Sequence, residues 1–369
     1  MENEPLIIQR KARGADIVIT GVEDLIEIIN TPFNPPFHRT IYEHIRNGAV
    51  RNWFERMGEG ELASLMKPFE NESVQKYIIA LSIFDENRTQ QKKNFSFVVG
   101  YESAKKKLLE TCSHPDRFRE LSKKYNKKAG GAIILYGPPG CGKTNLASSL
   151  AGETSKIFMK RSGSDFFSPN IMKITLDILK KITNTVLFID EIEMLGIDRD
   201  AEGLNSRRVT NDILVNIDSN LKNYGILIVG TTNTPWVIDA SVLRSGRFDE
   251  LIYIGLPSLE EREKLFEFYS KGLPLDGVEF SKISEKTDFY SCSDIEAICS
   301  EAAAIPWREA IAGKSERNIT SKDFNDALAR TESTAIPWLE STSNLMLSHN
   351  MKSRFAPMVK EIERYKNSR

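Results

Sequence analysis

The stretch Gly137-Pro138-Pro139-Gly140-Cys141-Gly142-Lys143-Thr144 brings together residue types that can hold a chain of phosphates. Glycines let backbone N–H groups close around phosphate oxygens where a side chain would block the approach. Lys143 adds a positive charge able to reach the β- and γ-phosphates, and the Thr144 hydroxyl can ligate Mg²⁺. An apolar run, Ala132-Ile133-Ile134-Leu135-Tyr136, comes before it, and Asn145-Leu146-Ala147-Ser148 opens an amphipathic stretch after it. Strand, glycine-rich turn and helix start are therefore in the order a phosphate-binding loop requires. A helix beginning near Lys143 points its positive end at the same place.

Two further groups supply what phosphoryl transfer needs. The apolar run Thr185-Val186-Leu187-Phe188-Ile189 ends in Asp190-Glu191. Asp190 suits a Mg²⁺ ligand, direct or through water, and Glu191 suits a base that orients and activates an attacking water. A second apolar run, Gly225 to Gly230, ends in Thr231-Thr232-Asn233. Asn233 is placed to position that water or to sense the γ-phosphate. As a residue type in Asn233-Thr234-Pro235 it also suits a plain turn.

Positioning these groups takes a sheet. Strand-like runs recur at Ala132–Tyr136, Ile157–Lys160, Thr185–Ile189, Gly225–Gly230 and Leu251–Ile254, with helical patterns between them. They predict an α/β fold with a five-stranded, mostly parallel sheet covered by helices on both faces. Ligands in such sheets lie beyond the carboxyl ends of the strands, where Asp190 and Asn233 fall. After Pro257 the pattern is all-helical: Leu259–Tyr269, Phe280–Glu285, Ser293–Ala312 (with Pro306 expected to kink it) and Ser321–Ala329. Helix starts are expected at Ser293-Asp294 and at Thr320-Ser321-Lys322-Asp323.

Residues 1–94 read as a helical domain and linker. A strand-like Asp16–Thr20 leads into a helix from Val22 to Ile29, and Thr31-Pro32-Phe33-Asn34-Pro35-Pro36 cannot continue it. Helical spacing returns through Ile41, Ile45, Val50, Trp53 and Phe54, then Leu62, Leu65 and Met66, then Val74–Phe84, with a polar linker from Asp85 to Asn94. This part suits an adaptor or a structural cap. His38 and His44 lack the partners a metal site needs.

In combination these motifs resemble the AAA ATPase domain, the clade of proteasomal ATPases, katanin, spastin and protein unfoldases. The resemblance covers residues from about 95 to 333. It rests on the glycine-rich loop, Leu187-Phe188-Ile189-Asp190-Glu191-Ile192-Glu193, Gly230-Thr231-Thr232-Asn233 and Leu243-Arg244-Ser245-Gly246-Arg247-Phe248-Asp249. It implies a large α/β domain over 95–256, a helical lid over 257–333 and a helical tail over 334–369. It implies ATP and Mg²⁺ as cofactors, hydrolysis coupled to remodelling, unfolding or disassembly of protein substrates, and self-association into a hexameric ring. Arg244 and Arg247 match arginines that reach a neighbouring subunit's γ-phosphate, where positive charge must meet the transferring phosphoryl group. Val98, Val99 and Gly100 match the segment along adenine, with Phe97 and Val99 replacing an acidic residue and a glycine usual there. Cys292 and Ser293 match lid residues that contact adenine and ribose, in place of glycine and alanine. No arginine stands at this helix start, unlike in DNA-associated relatives.

The sharpest departure lies between Ile157 and Thr185, where the resemblance calls for an aromatic-apolar-glycine loop that grips substrate in a central pore. The interval from Lys143 to Asp190 is short for that loop, and the matching stretch is Gly163-Ser164-Asp165-Phe166-Phe167-Ser168-Pro169-Asn170. Phe166 and Phe167 are gripping or core residues, with core favoured. In the tail, Leu345, Met346, Met358, Ile362 and Tyr365 are expected to form an apolar face for the lid or a neighbouring subunit.

Composition narrows the classes. Hydrophobic residues make up 40% and charged residues 27%, a globular balance, and the net charge of −1 offers no general attraction to nucleic acid or anionic membrane. No apolar run approaches spanning length, and Met1-Glu2-Asn3-Glu4 does not begin a signal peptide. Cys112, Cys141, Cys292 and Cys299 have neither zinc nor disulfide spacing, so a reducing, cytoplasmic setting is expected. Cys141 reads as a filler position whose oxidation would obstruct the loop. No His-Glu-x-x-His motif occurs, so a fused zinc protease is not expected. The alternatives are an ATPase acting on DNA or nucleoprotein, disfavoured by charge and the missing lid arginine, and a nucleotide-dependent scaffold, disfavoured by the complete residue set.

Overall fold

Apolar runs that alternate between two faces build the centre of the molecule. The computed structural model describes residues 6–8, 17–30, 35–89, 93–112, 124–125, 131–182, 184–196, 226–238, 242–243, 248, 250–346 and 354–368. Its N-terminal part contains β1 (Leu6–Ile8), β2 (Ile17–Ile19), α1 (Val22–Asn30), α2 (Pro35–Arg46), α3 (Ala49–Arg56), α4 (Gly60–Met66) and α5 (Val74–Thr89). The α/β part follows with α6 (Glu102–Cys112), β3 (Ala132–Tyr136), α7 (Lys143–Glu153), β4 (Ile157–Ser162), α8 (Pro169–Lys181), β5 (Thr185–Asp190), β6 (Leu227–Thr232) and β7 (Glu250–Tyr253).

Five strands form one sheet in the order β4-β5-β6-β3-β7. Every neighbouring pair is parallel, so the "mostly parallel" expectation becomes wholly parallel. Residues of β3, β5 and β6 are buried on both faces, as crossover helices require. Ile133, Leu135, Val186 and Phe188 face Leu108 of α6 and Leu146 and Leu150 of α7. Their neighbours Ile134, Leu187 and Ile189 face the opposite core, which includes Ile174 and Ile178 of α8. The fourth predicted strand is shifted: β6 runs on through Thr231 and Thr232, which align with Leu135 and Tyr136. Cross-strand pairing outweighs the weaker apolar signal of two threonines, residues well suited to a pleated sheet.

The N-terminal part differs in two places. β2 pairs antiparallel with β1, a strand the apolar triplet Leu6-Ile7-Ile8 is too short to announce. α5 continues to Thr89, so the first half of the expected linker is helix. The cause is Asn87, whose amide makes a two-way bridge to the outer edge of β4. Its Nδ2 donates to Phe158 O at 2.8 Å, and its Oδ1 accepts from Phe158 N at 2.7 Å. An amide thus stands in for a missing strand and blunts an exposed sheet edge. Lys76 Nζ reaches Asp177 Oδ2 at 2.6 Å and Lys181 Nζ reaches Pro68 O at 3.0 Å, tying α5 and the 3-10 turn Lys67–Phe69 to α8.

The lid comprises α9 (Leu259–Tyr269), β8 (Leu275–Asp276), α10 (Phe280–Ser284), α11 (Cys292–Ile311), β9 (Ile319–Thr320) and α12 (Ser321–Leu328). α11 starts a residue earlier than expected. Ser291 is its cap: the hydroxyl accepts from Asp294 N at 3.2 Å while Asp294 Oδ2 accepts from Ser291 N at 2.8 Å. Pro306 lies inside α11 without ending it. Beyond the lid, α13 (Ala335–Met346) and α14 (Ala356–Asn367) pack on the same chain. Phe355 meets Tyr136 and Tyr365 meets Phe289, both edge-on, so the tail touches the sheet and the lid together. Met358, Ile362 and Tyr365 are buried as expected, whereas Leu345 is 40% exposed. The side chain of Met346 lies outside the described residues.

Candidate nucleotide site

The glycine-rich loop connects β3 to α7 and is held open by backbone geometry that only glycine takes without strain. Gly137 and Gly140 have φ of 148° and 74°. A Cβ on Gly137 would collide with Ile254 O, and one on Gly140 with the Ser291 and Ser293 hydroxyls. The first N–H groups of α7 have no carbonyl within the helix to bond, and no side chain caps them. Cys141 is fully buried, and burial pushes its thiol well above the usual range. Oxidation at this position, which would obstruct the loop, is accordingly disfavoured, since a buried neutral thiol is unreactive.

Lys143 is 8% exposed, and its ammonium donates to Gly137 O at 3.0 Å and Pro138 O at 2.7 Å. Burial lowers its pKa to about 8, against the opposing pull of Cys141, Asp190 and Glu193. Asp190 stands at the end of β5, and its Oδ1 accepts from Thr231 Oγ1 at 2.6 Å. Its Oδ2 lies 3.8 Å from Lys160 Nζ. Glu191 comes next with an exposed side chain and φ of 52°, a left-handed conformation uncommon for a non-glycine residue. Asn233 follows β6. Its Oδ1 is buried with no hydrogen-bond partner, as is Oε2 of Glu193. Glu193 Oε1 accepts from Thr234 Oγ1 at 3.3 Å.

These groups meet around one cavity of about 610 Å³. Lys143, Thr144, Asn145, Asp190 and Asn233 line it from the α/β side, with Cys292, Ser293 and Glu296 opposite on the lid. The lid is latched to the loop by Ser293 N, which donates to Gly140 O at 3.0 Å. The cradle and the buried ammonium fit a nucleoside triphosphate, and the unpaired Asn233 oxygen, an acceptor, fits a water beside it. The Thr144 hydroxyl and Asp190 carboxylate form the all-oxygen donor set that suits Mg²⁺.

Several residues fall elsewhere. Val98, Val99 and Gly100 are not among the lining residues; Phe97 and Lys93 are. The Val98 carbonyl accepts from Lys105 Nζ at 2.7 Å, Val99 packs on the lid core and Gly100 abuts Glu261. Glu191 is outside the lining set too. Arg244 and Arg247 lie outside the described residues. Phe166 is 2% exposed in the main core, as favoured, which removes it as a gripping residue; the side chain of Phe167 lies outside the described residues. Thr231, Lys160, Phe268 and Tyr269 were not singled out by sequence, and only Thr231, inside a quoted motif, carried a signal.

With this geometry in view, the comparisons with known proteins are specific. Residues 133–256 match the ATPase family associated with various cellular activities (AAA), and residues 277–326 match the AAA+ lid domain. The chain carries an AAA ATPase domain and its lid. It is 34% identical over 224 residues to ATP-dependent zinc metalloprotease FtsH 2 of Thermoanaerobacter sp. (strain X514), covering 58% of this chain and 43% of that one. It is 33% identical over 250 residues to the cell division cycle protein 48 homolog of Archaeoglobus fulgidus, covering 63% of this chain and 34% of that one. The chain thus spans less than half the length of these relatives. A solved structure described as "Structural Basis for Katanin Self-Assembly" superposes with a TM-score of 0.57 at 24% identity, over 70% of this chain and 96% of that one. That likeness supports the AAA fold. Among the described residues no helix is long and apolar enough to cross a membrane, and no cluster of His, Cys, Asp and Glu could hold a metal ion by itself.

Proposed function

We propose that this AAA ATPase domain binds ATP with Mg²⁺ and hydrolyses it to remodel, unfold or disassemble protein substrates, working as a hexameric ring. The reading rests above all on the convergence of Lys143, Thr144, Asp190 and Asn233 on one cavity closed by the lid. Lys143 holds the β- and γ-phosphate charge, and the loop N–H groups orient the phosphates. Thr144 and Asp190 hold Mg²⁺, which when bound neutralises phosphate charge. Glu191 orients the attacking water and takes its proton, and Asn233 fixes that water from the opposite strand. Cys292 and Ser293 contact the nucleoside from the lid. Arg244 and Arg247 complete the charge from the neighbouring subunit. A protein substrate fits the net charge of −1 better than nucleic acid does, and four buried free thiols fit a reducing, cytoplasmic setting.

Mixing two inactive variants tests this reading. Arg244→Ala keeps an intact phosphate loop and Lys143→Ala keeps intact fingers. An arginine finger contributes on the order of 10³–10⁵ in rate, so each variant alone should release almost no phosphate from ATP. Their co-assembly should restore activity. No restoration in a demonstrated mixed ring, or full activity of a dilute monomer, would refute the shared site.

A further inference from the structure

Asn233 is the first residue past β6, whose pairing with β3 stops at Thr232. Beyond that point the turn is held by a few specific bonds. Thr234 N donates to Thr232 Oγ1 at 2.9 Å, and Thr234 Oγ1 donates to Glu193 at 3.3 Å. The first of these holds the peptide that joins Asn233 to Thr234 by its N–H, and the second holds the Thr234 side chain. The carbonyl of Asn233 itself accepts from the indole Nε1 of Trp338 at 2.8 Å. That donor comes from α13, beyond the lid and 105 residues along the chain.

Trp338 is itself well anchored. Its ring lies 6.3 Å from that of Trp236, in the turn that follows Asn233. Ala335 and Leu339 fix α13 with no exposure at all. The start of α13 is tied to the lid, with Thr334 N donating to Asp294 Oδ2 at 3.2 Å and Ser333 Oγ donating to Phe289 O at 2.6 Å. Asp294 belongs to the cap of α11, and the Ser293 N–H next to it is the group that holds Gly140 O. A continuous chain of contacts therefore runs from the phosphate loop through the lid and α13 to the backbone of Asn233.

We propose that Trp338 is a positioning residue for hydrolysis: its indole N–H sets the peptide of Asn233, so that the amide meets the γ-phosphate and water only while α13 is docked. The inference rests on the role of Asn233 given under Proposed function. With the carbonyl released, that peptide is held only from its N–H edge by Thr232 Oγ1, and it can tilt and carry the Asn233 side chain away from the cavity. Misplacement of a catalytic group by about 1 Å can cost about 10²-fold in rate.

The test is a double-mutant cycle on the full chain, read as kcat and KM for ATP in Mg²⁺. Trp338→Phe keeps a large ring and removes the donor. It should lower kcat by about 10- to 100-fold while KM stays within about twofold, because the phosphate loop is untouched. In an Asn233→Ala background the same change should lower kcat no further. Thermal unfolding and binding of a fluorescent ATP analogue, measured on each variant, report an intact fold and site. Parent kcat in Trp338→Phe overturns the proposal, as does an equal loss in both backgrounds, which would show packing independent of Asn233. Parent kcat in Asn233→Ala alone would instead remove the role of Asn233, and the proposal with it. Should Trp338→Phe be too unstable to assay, Trp338→His, which keeps a ring N–H, is compared with Trp338→Leu, which has none: a faster Trp338→His supports the bond, and equal rates for the two overturn it.

Discussion

Thr231 Oγ1 donates to Asp190 Oδ1 at 2.6 Å, so the end of one strand fixes the carboxylate at the end of the next. Thr231 is buried and Asp190 is half-buried, and β5 and β6 are direct neighbours in the sheet. The bond occupies one carboxylate oxygen and orients the other toward Lys160 and the cavity.

Thr231→Val keeps the shape of the side chain and removes the hydroxyl. Loss of a group that orients a metal ligand typically costs about 10- to 100-fold in metal affinity or activity. Steady-state phosphate release titrated with Mg²⁺ should show that loss, mostly as a higher Mg²⁺ requirement. An unchanged Mg²⁺ titration would mean Asp190 needs no such support.

Lys143 gives the site a pH dependence with a definite sign. Its pKa is lowered to about 8, so the ammonium proposed to hold phosphate is charged below that pH and neutral above it. The terminal phosphate of ATP is already ionised above pH of about 7, since its last pKa is near 6. ATP binding should therefore weaken as pH rises, with apparent Kd increasing about tenfold between pH 7 and 9. Calorimetric titration at several pH values would check it, together with uptake of a proton on binding near pH 8 or above. A flat profile across that range would contradict the assignment.

Phe166 is a core residue in a 3-10 turn, Gly163–Phe167, capped by Ser162 and Asp165. Phe166→Ala should cost about 3–5 kcal/mol of stability in denaturant unfolding. If stability were kept and only client remodelling were lost, the residue would have to reach substrate after all.

Much of this molecule could be read in advance, for physical reasons that differ from place to place. Buried parallel strands are long apolar runs, and phosphate cradles need glycine, so both leave dense local signals. The Asn87 bridge and the Trp338 bond leave none, because each joins residues far apart in sequence through one ordinary side chain, and of the β1–β2 pair only β2 shows as a strand-like run. Val98 to Gly100 fall outside the cavity lining, with Lys105 on the Val98 carbonyl and Glu261 against Gly100, while Phe97 lines the cavity. Ser291 rather than Ser293 caps α11 because Asp294 completes a reciprocal pair with it at the usual spacing.

The proposed hydrolysis of ATP depends on Glu191, the carboxylate that directly follows β5. Glu191→Gln preserves size and polarity but cannot accept a proton, so binding and turnover should separate. The most direct measurement pairs ATP affinity with single-turnover phosphate release for this variant and the parent. The account predicts parent-like affinity with release slowed by about 10²-fold or more. Release at the parent rate would contradict it.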